Sequence, residues 1–489
     1  VILPVPEWLP DLNEDGIAPP DDDIIKNVIP DLDCYKPWGS LTMITNALTS
    51  RALGAIGVIA DDRNAYDYAG TQNNLYRLSS LSWISATNVT LSATFSYSTS
   101  NDQWWEFAQW GNTVLATNGH DPVQEITMGA SNFVDLAGAP PVAYHIAIVK
   151  DFAMLGNLSG FPQRVRWSAI NNTHSWTVDA TTQADYQDLV GEGGHVQRII
   201  GGNSATIFQE RAIWTAQYVG SPAIFDFGNG PITTSVGLLA PQSAVRHGDS
   251  IFFLSEGGFY ELTQSSLNPI GKNKVDQTFF NDLDAQYAYR VQALIDPIEH
   301  LYMVCAPGSG NSSGTPNKIW LYNFAIGRWS YISENVEMLW RYISTGYTLE
   351  GLDIFGTLDS LPASLDSSLW AGGQISAAAF NSSHESCVFN GTAKDARVTT
   401  REFAPFSGRR GRITRVRPLV DANAASVAPI TRNRLADQRV IGNAISQVSS
   451  GDVPLRVNAG YVSFQINTSG SFTRIRGLEV LEVSDAGNR

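Results

Sequence analysis

Among the 489 residues there are only three cysteines, and charge is scarce as well: Asp, Glu, Lys and Arg together make 16 %, against about 25 % in an ordinary globular chain. Cys34, Cys305 and Cys387 lie far apart and in no CxxC or Cys/His spacing, which excludes a disulfide framework or a cysteine zinc site. They read as small buried hydrophobes. No stretch approaches the ~18 apolar residues of a membrane-spanning helix; the longest clean run is Ala52 to Ala60, so no membrane segment is expected. The first thirty residues hold seven acids and one Lys, the reverse of a secretory leader. Catalytic signatures are missing too. There is no H-E-x-x-H and no G-x-S-x-G, and Gly191-Glu-Gly193-Gly194 and Gly308-Ser-Gly310 lack the spacing that cradles a phosphate. Asp11-Leu-Asn13-Glu-Asp15-Gly16 matches the start of a calcium loop, with Asp22 at the twelfth position. Pro19 and Pro20 interrupt it and no amphipathic helix flanks it, so it reads as an acidic turn. The expectation is a protein without catalytic residues, metal or cofactor.

What is present points to β structure. Hydrophobic residues reach 43 % and aromatics 10 %, with Ser, Thr, Asn, Gln and 42 Gly replacing the missing charge, a mixture that favours short strands joined by tight turns. The formal charge of −15 argues against a protein that grips nucleic acid through many phosphate contacts. The sum conceals a split: residues 394–489 hold 15 Lys+Arg against 8 Asp+Glu, a net of +7, so residues 1–393 carry −22. Fourteen of those fifteen cations are Arg.

Residues 1–54 read as a Pro- and Asp-rich extended arm closed by a short helix, because Leu41, Ile44 and Leu48 follow a helical spacing. From 55 to 393 one unit recurs, two short apolar runs around a polar turn, each preceded by a corner. The corners at Ala65, Gly111, Asp151, Asn203, Gly248 and Glu299 are separated by 46, 40, 52, 45 and 51 residues. Four-stranded propeller blades have a period of about 40 to 50 residues, whereas helical and leucine-rich repeats need patterns absent here. The expectation is an all-β fold, a β-propeller of six to seven blades, with Leu339 to Gly373 as the candidate seventh. A helix inserted at about 274–291 is expected from Val275, Phe279, Leu283 and Tyr287. Trp83, Trp167, Trp176 and Trp329 are expected to pack between blades. Residues 394–489 read as a separate antiparallel β domain with the arginine excess on its strands. There Arg415 and Arg417 share one face, as do Arg474 and Arg476, and Arg409, Arg410 and Arg412 open the same basic segment.

Several stretches in combination resemble a known family: Lys26-Asn-Val-Ile-Pro30, Tyr66 to Tyr76 with Ala69-Gly-Thr71, Val165-Arg-Trp-Ser168, Ile207-Phe-Gln209 with Tyr218-Val-Gly-Ser-Pro222, Phe252 to Tyr260 with Pro269-Ile-Gly271, and Gly411 to Asp421. Together they are similar to the tail stabilisation or nozzle proteins of short-tailed bacteriophages. The resemblance implies a virion component assembled in the host bacterial cytoplasm, a homo-oligomeric ring of six copies. Such a ring extends the portal–adaptor channel, touches other tail proteins such as a fibre or needle, retains the packaged genome and conducts double-stranded DNA without reading its sequence. It carries over no catalytic residue. The seven arginines named above are the expected subunit interface. The reading from a different class is a carbohydrate-binding or glycoside-cleaving propeller with tryptophan platforms. The Ser-x-Asp-x-Gly-x-x-Trp box of sialidases is absent, and only an acid pair assembled in space would serve such chemistry.

Overall fold

The computed structural model describes residues 1–12, 25–88, 95–264, 266–344, 356–361, 364–365, 375–406, 408–422 and 424–488. Seven four-stranded antiparallel sheets follow one another along the chain from Gly54 to Val388. Their first strands, Gly54–Ile59, Glu106–Trp110, Ala143–Val149, Val196–Ile200, Val245–His247, Gln292–Asp296 and Val336–Ile343, pack in that order and return to the first. The turn Pro241–Ser243 fills the step between blades 4 and 5. This is a seven-bladed β-propeller. No helix among the described residues is long and apolar enough to cross a membrane.

The repeat seen in the sequence has a specific backbone cause. In six blades the turn between the first and second strands holds a residue with positive φ: Arg63, Gly111, Lys150, Gly202, Gly248 and His300. Tight hairpin turns favour that conformation, which Gly adopts without strain in three of these blades and Arg63, Lys150 and His300 adopt in the other three. The apolar runs that follow are buried on both faces, because alternate residues serve two neighbouring blades. Ile251 and Phe253 pack toward blade 4, while Phe252 and Leu254 pack toward blade 6. One apolar core fills each of the seven clefts between blades. Trp83 packs on Trp340 and Phe380 between blades 1 and 7, Trp167 on Phe225 between blades 3 and 4, and Trp329 on Phe259 between blades 6 and 5. Trp176 lies in the core between blades 2 and 3.

Two sequence expectations need correction. The segment Leu41 to Gly54 contains no helix; its residues Thr42–Ala47 form the outermost strand of blade 7, paired with Glu385–Val388. The β-branched Thr42, Ile44 and Thr45 suit a strand, and the partner that selects it lies more than 300 residues away, beyond the reach of local periodicity. The inserted helix is shorter than expected: an α-helix, Asp276–Asp282, is followed by a separate 3₁₀ segment, Ala285–Arg290. The candidate seventh blade, Leu339 to Gly373, includes long stretches outside the described residues; blade 7 is built from Val336–Ile343, Ile375–Asn381, Glu385–Val388 and Thr42–Ala47.

The C-terminal region forms two packed sheets, and the arm is part of both. One sheet holds Val28–Pro30, Tyr35–Pro37, Ile475–Asn488, Arg409–Val420 and Val453–Ala459, with Ile2–Pro4 paired to Ile475–Asn488. The other holds Ile25–Lys26, Ala396–Thr399, Tyr461–Thr468, Ala425–Arg432 and Val440–Ile441, with Ile445–Ser446 also on Ala425–Arg432. The strand Ala425–Arg432 was not foreseen. Their inner faces, including Ile413, Val416, Leu478, Val427 and Phe464, share one core with blades 5 and 6, so sandwich and propeller are joined by apolar packing. The arm rivets the junction at Asn27, which has φ 59°. Its N–H donates to Tyr331 O (2.9 Å), its Nδ2 to Asp395 O (2.8 Å), and its Oδ1 accepts from Ser333 N (2.9 Å).

Candidate functional site: an arginine face and an axial cavity

Arg409–Val420 alternates buried and exposed residues, with Ile413, Val416 and Pro418 inward and Arg412, Arg415 and Arg417 outward. A register shift between Ile413 and Arg415 keeps Arg412 and Arg415 on the same side although three positions separate them. The adjacent strand Val453–Ala459 adds Arg456 to this outer face. The sequence reading missed that residue, although the strict alternation of its strand was a usable signal.

These arginines differ in their partners. Arg417 Nε bonds Asp452 Oδ1 at 2.8 Å and holds that carboxyl below its ordinary range. Arg415 reaches Glu482 Oε1 at 3.4 Å and Asp452 Oδ2 at 3.9 Å, and Arg409 meets Asp485 at 2.6 Å. Arg410 is half-buried, its Nε enclosed without a hydrogen-bond partner. Arg474 immediately precedes the last strand and Arg476 lies within it, on either side of the buried Ile475. Both are exposed. Among the described residues Arg412, Arg456, Arg474 and Arg476 have no acid within salt-bridge distance. Arg432, by contrast, is wholly buried against Glu402 and belongs to the core.

The tryptophans proposed as sugar platforms, Trp83, Trp167, Trp176 and Trp329, are each at most 5 % exposed, so none presents a face to a ligand. The calcium-like loop lies outside the described residues from position 13 onward. Asp11 itself is committed elsewhere: its carboxylate accepts from Gln277 N and Thr278 N, both at 2.9 Å, and so caps the helix Asp276–Asp282. No group of three or more potential metal ligands occurs among the described residues.

A second site emerges only in three dimensions. Where the first strands of the blades surround the propeller axis they leave a cavity of ≈ 410 Å³, lined in part by Trp104, Glu106, Phe107, Gln109, Arg198, Gln242 and Arg341. Glu106 is buried and fully occupied. Its Oε1 lies 2.9 Å from His145 Nδ1 and accepts from Arg198 Nη1 (2.9 Å) and Gln242 Nε2 (3.1 Å), while Oε2 accepts from Ile146 N (3.1 Å). Burial alone would raise this carboxyl, but Arg198, His145 and the hydrogen bonds outweigh it and hold the pKa at about 2. The cluster joins blades 2, 3, 4 and the turn before blade 5 across the axis.

Arg341 differs from this cluster. It is the one exposed residue of Val336–Ile343, it opens into the cavity, and no salt bridge or hydrogen bond from its side chain is found among the described residues. Enclosure by protein lowers its pKa and no acid opposes the shift. An isolated charge inside the apolar run Met338-Leu-Trp-Arg341-Tyr-Ile343 was visible in the sequence; its placement on the axis was not.

No family model matches the chain, and no curated protein matches it either. Among solved structures it is similar to the computationally designed Ika8 protein, at 8 % identity over 72 % of this chain and 100 % of that one, with a TM-score of 0.38. It is also similar to YCF48 bound to a D1 peptide, at 12 % identity over 62 % and 86 % of the two chains and TM-score 0.34. BamB from Moraxella catarrhalis gives 10 % identity over 75 % and 94 %, with a TM-score of 0.36. Likeness at this level does not extend to function; the propeller assignment stands on the seven sheets and their closed order.

Proposed function

We propose that this protein is a structural component of a short-tailed bacteriophage tail, of the nozzle or tail-stabilisation type. Six copies form a ring that extends the portal–adaptor channel, holds back the packaged genome and lets DNA pass at ejection, within a virion assembled in the host bacterial cytoplasm. Besides the resemblance in sequence, the observation that carries this reading is the outer sheet face with Arg412 and Arg456, cations with no acid at salt-bridge distance among the described residues, on a molecule whose residues 1–393 carry −22. Arg keeps its charge when desolvated and pairs bidentately with carboxylates, which suits a contact with the acidic body of a neighbouring copy or of the adaptor.

The axial cavity bears on the same reading by its size. A volume of ≈ 410 Å³ is that of a small-molecule site. A duplex therefore passes through a channel enclosed by several subunits, not through one propeller. Arg415 and Arg417 hold Asp452 and Glu482, so they stay in the proposed interface as organisers of the face, while Arg412 and Arg476 have no acid within salt-bridge distance among the described residues and are open to a partner.

Negative-stain imaging and native mass measurement test the proposal. The purified protein, alone or with its portal and adaptor, is expected to form rings with an axial opening, and the double variant Arg412→Glu/Arg456→Glu is expected to lose them with its circular dichroism unchanged. A monomer under all these conditions, or normal rings from the double variant, would refute it.

A further inference from the structure

We propose that the axial cavity of the propeller is a binding site for a small oxyanion, a carboxylate or phosphate group on a compact polar body, with Arg341 as its charge partner. Three features of the cavity favour an anionic ligand. The acid on its wall, Glu106, already has four hydrogen-bonding neighbours and cannot neutralise a further cation. Arg341 opens into the same space with no acid at salt-bridge distance among the described residues, so the wall keeps an unbalanced positive charge. Arg198 adds an enclosed Nε that lacks a hydrogen-bond partner.

Strand geometry places the cation where a ligand could reach it. Gly57 lies so close to the neighbouring inner strand that a Cβ there would stand 2.7 Å from Arg341 O, which brings blades 7 and 1 together at this level. Gln109 Nε2 donates to Ile59 O at 2.7 Å, so the blade 2 amide sits at the same end of the cavity. Arg341 and Gln109 therefore flank one end, while Gln242, Trp104 and Phe107 give the remaining wall amide and aromatic surface. Convergent polar groups in a partly apolar cavity of this volume are the usual form of a small-ligand site. Loss of solvation around a cation with no counter-charge also recurs at binding sites, because the ligand's charge relieves it.

The test is a calorimetric titration of the intact protein with inorganic phosphate in one arm and glucuronate in the other, at constant ionic strength set with chloride. Saturable binding at one site is expected for at least one anion, and the arm that binds tells phosphate from carboxylate. Arg341→Gln is expected to weaken that binding at least tenfold, Arg341→Lys to restore part of it, and Lys272→Gln, exposed after the last strand of blade 5 and away from the cavity lining, to leave it unchanged. Absence of saturable binding to the wild type in both arms would overturn the proposal, and so would undiminished binding by Arg341→Gln. Should Arg341→Gln not fold, Arg341→Met is read in its place: at least tenfold weaker binding supports the proposal and undiminished binding overturns it. None of these outcomes depends on ring formation, so the site and the structural role stand or fall separately.

Discussion

At the scale of single residues the polar groups that matter most are those without water. Asn27 serves three partners on the propeller and the sandwich from a left-handed backbone position that Asn tolerates better than most residues. Replacing it by Ala removes the partners of the Ser333 N–H and the Asp395 C=O, both at part-buried positions, and a loss of about 1–2 kcal/mol in urea unfolding is expected. Two carboxyls give opposite pH effects. Glu106 is held at about 2, below its ordinary 4.5, so its contribution is complete above that value and is lost as pH falls toward 2. Asp276 is pushed up to about 6 from 3.8 by burial, so it favours the folded state at low pH and costs stability as pH rises from about 4 to 6. Gly258 and Gly271 pack directly on that carboxyl, and Asn has its shape without its charge. Asp276→Asn is therefore expected to be more stable than wild type at pH 7, by an amount of order 1–3 kcal/mol, and to lose that advantage below pH 4. Melting temperatures across pH 3 to 8 check both the sign and the window.

Among the elements, the strand Thr42–Ala47 has the largest consequence for its length. It is the fourth strand of blade 7, supplied by the opposite end of the propeller sequence, and so closes the ring non-covalently. Ile44 is 3 % exposed in the core between blades 7 and 1, and Thr45 Oγ1 accepts from Ser386 N at 3.1 Å. Ile44→Ala is expected to cost about 2–4 kcal/mol, the price of a cavity in a packed core. The effect should spread: hydrogen exchange in Glu385–Val388 and in blade 1 should accelerate before that in blades 3 and 4. Uniform acceleration across all blades would show that closure is not a separate weak point.

For the whole molecule, arm, sandwich and propeller unfold together only if the shared core and the Asn27 junction hold. The strands Ile2–Pro4, Ile25–Lys26, Val28–Pro30 and Tyr35–Pro37 all belong to the sandwich sheets, and Tyr35 is fully buried there. Deleting residues 1–38 is expected to split a single calorimetric transition into two, with the sandwich melting first. The arginine face acts at the same scale. Contacts between exposed arginines and a neighbour's acids weaken with salt, so ring assembly is expected to fall off between 0.1 and 1 M NaCl, as the Debye length shrinks from about 10 Å to about 3 Å. Assembly indifferent to salt would point to an apolar interface instead.

The sequence by itself determined the class of fold, because its signals are local. The corners read from the sequence fall at or within two residues of the positive-φ turns, and runs such as Ile251 to Leu254 are apolar at every position because both of their faces are buried. The arginine excess was equally legible as composition. Pairing across hundreds of residues was not: the strand that closes blade 7 has a helix-compatible spacing, and only its hydrogen-bonded neighbour decides otherwise. For the same reason the arm looked like a free extension until its strands joined the sandwich. Which arginines are engaged was decided by tertiary contacts, since Asp452 and Glu482 occupy Arg417 and Arg415 while Arg412 and Arg456 have no such partner among the described residues. The axial cavity had no sequence signature at all. Glu106, Arg198 and Arg341 come from blades 2, 4 and 7 and Gln242 from the turn before blade 5, and only closure of the ring sets them around one cavity.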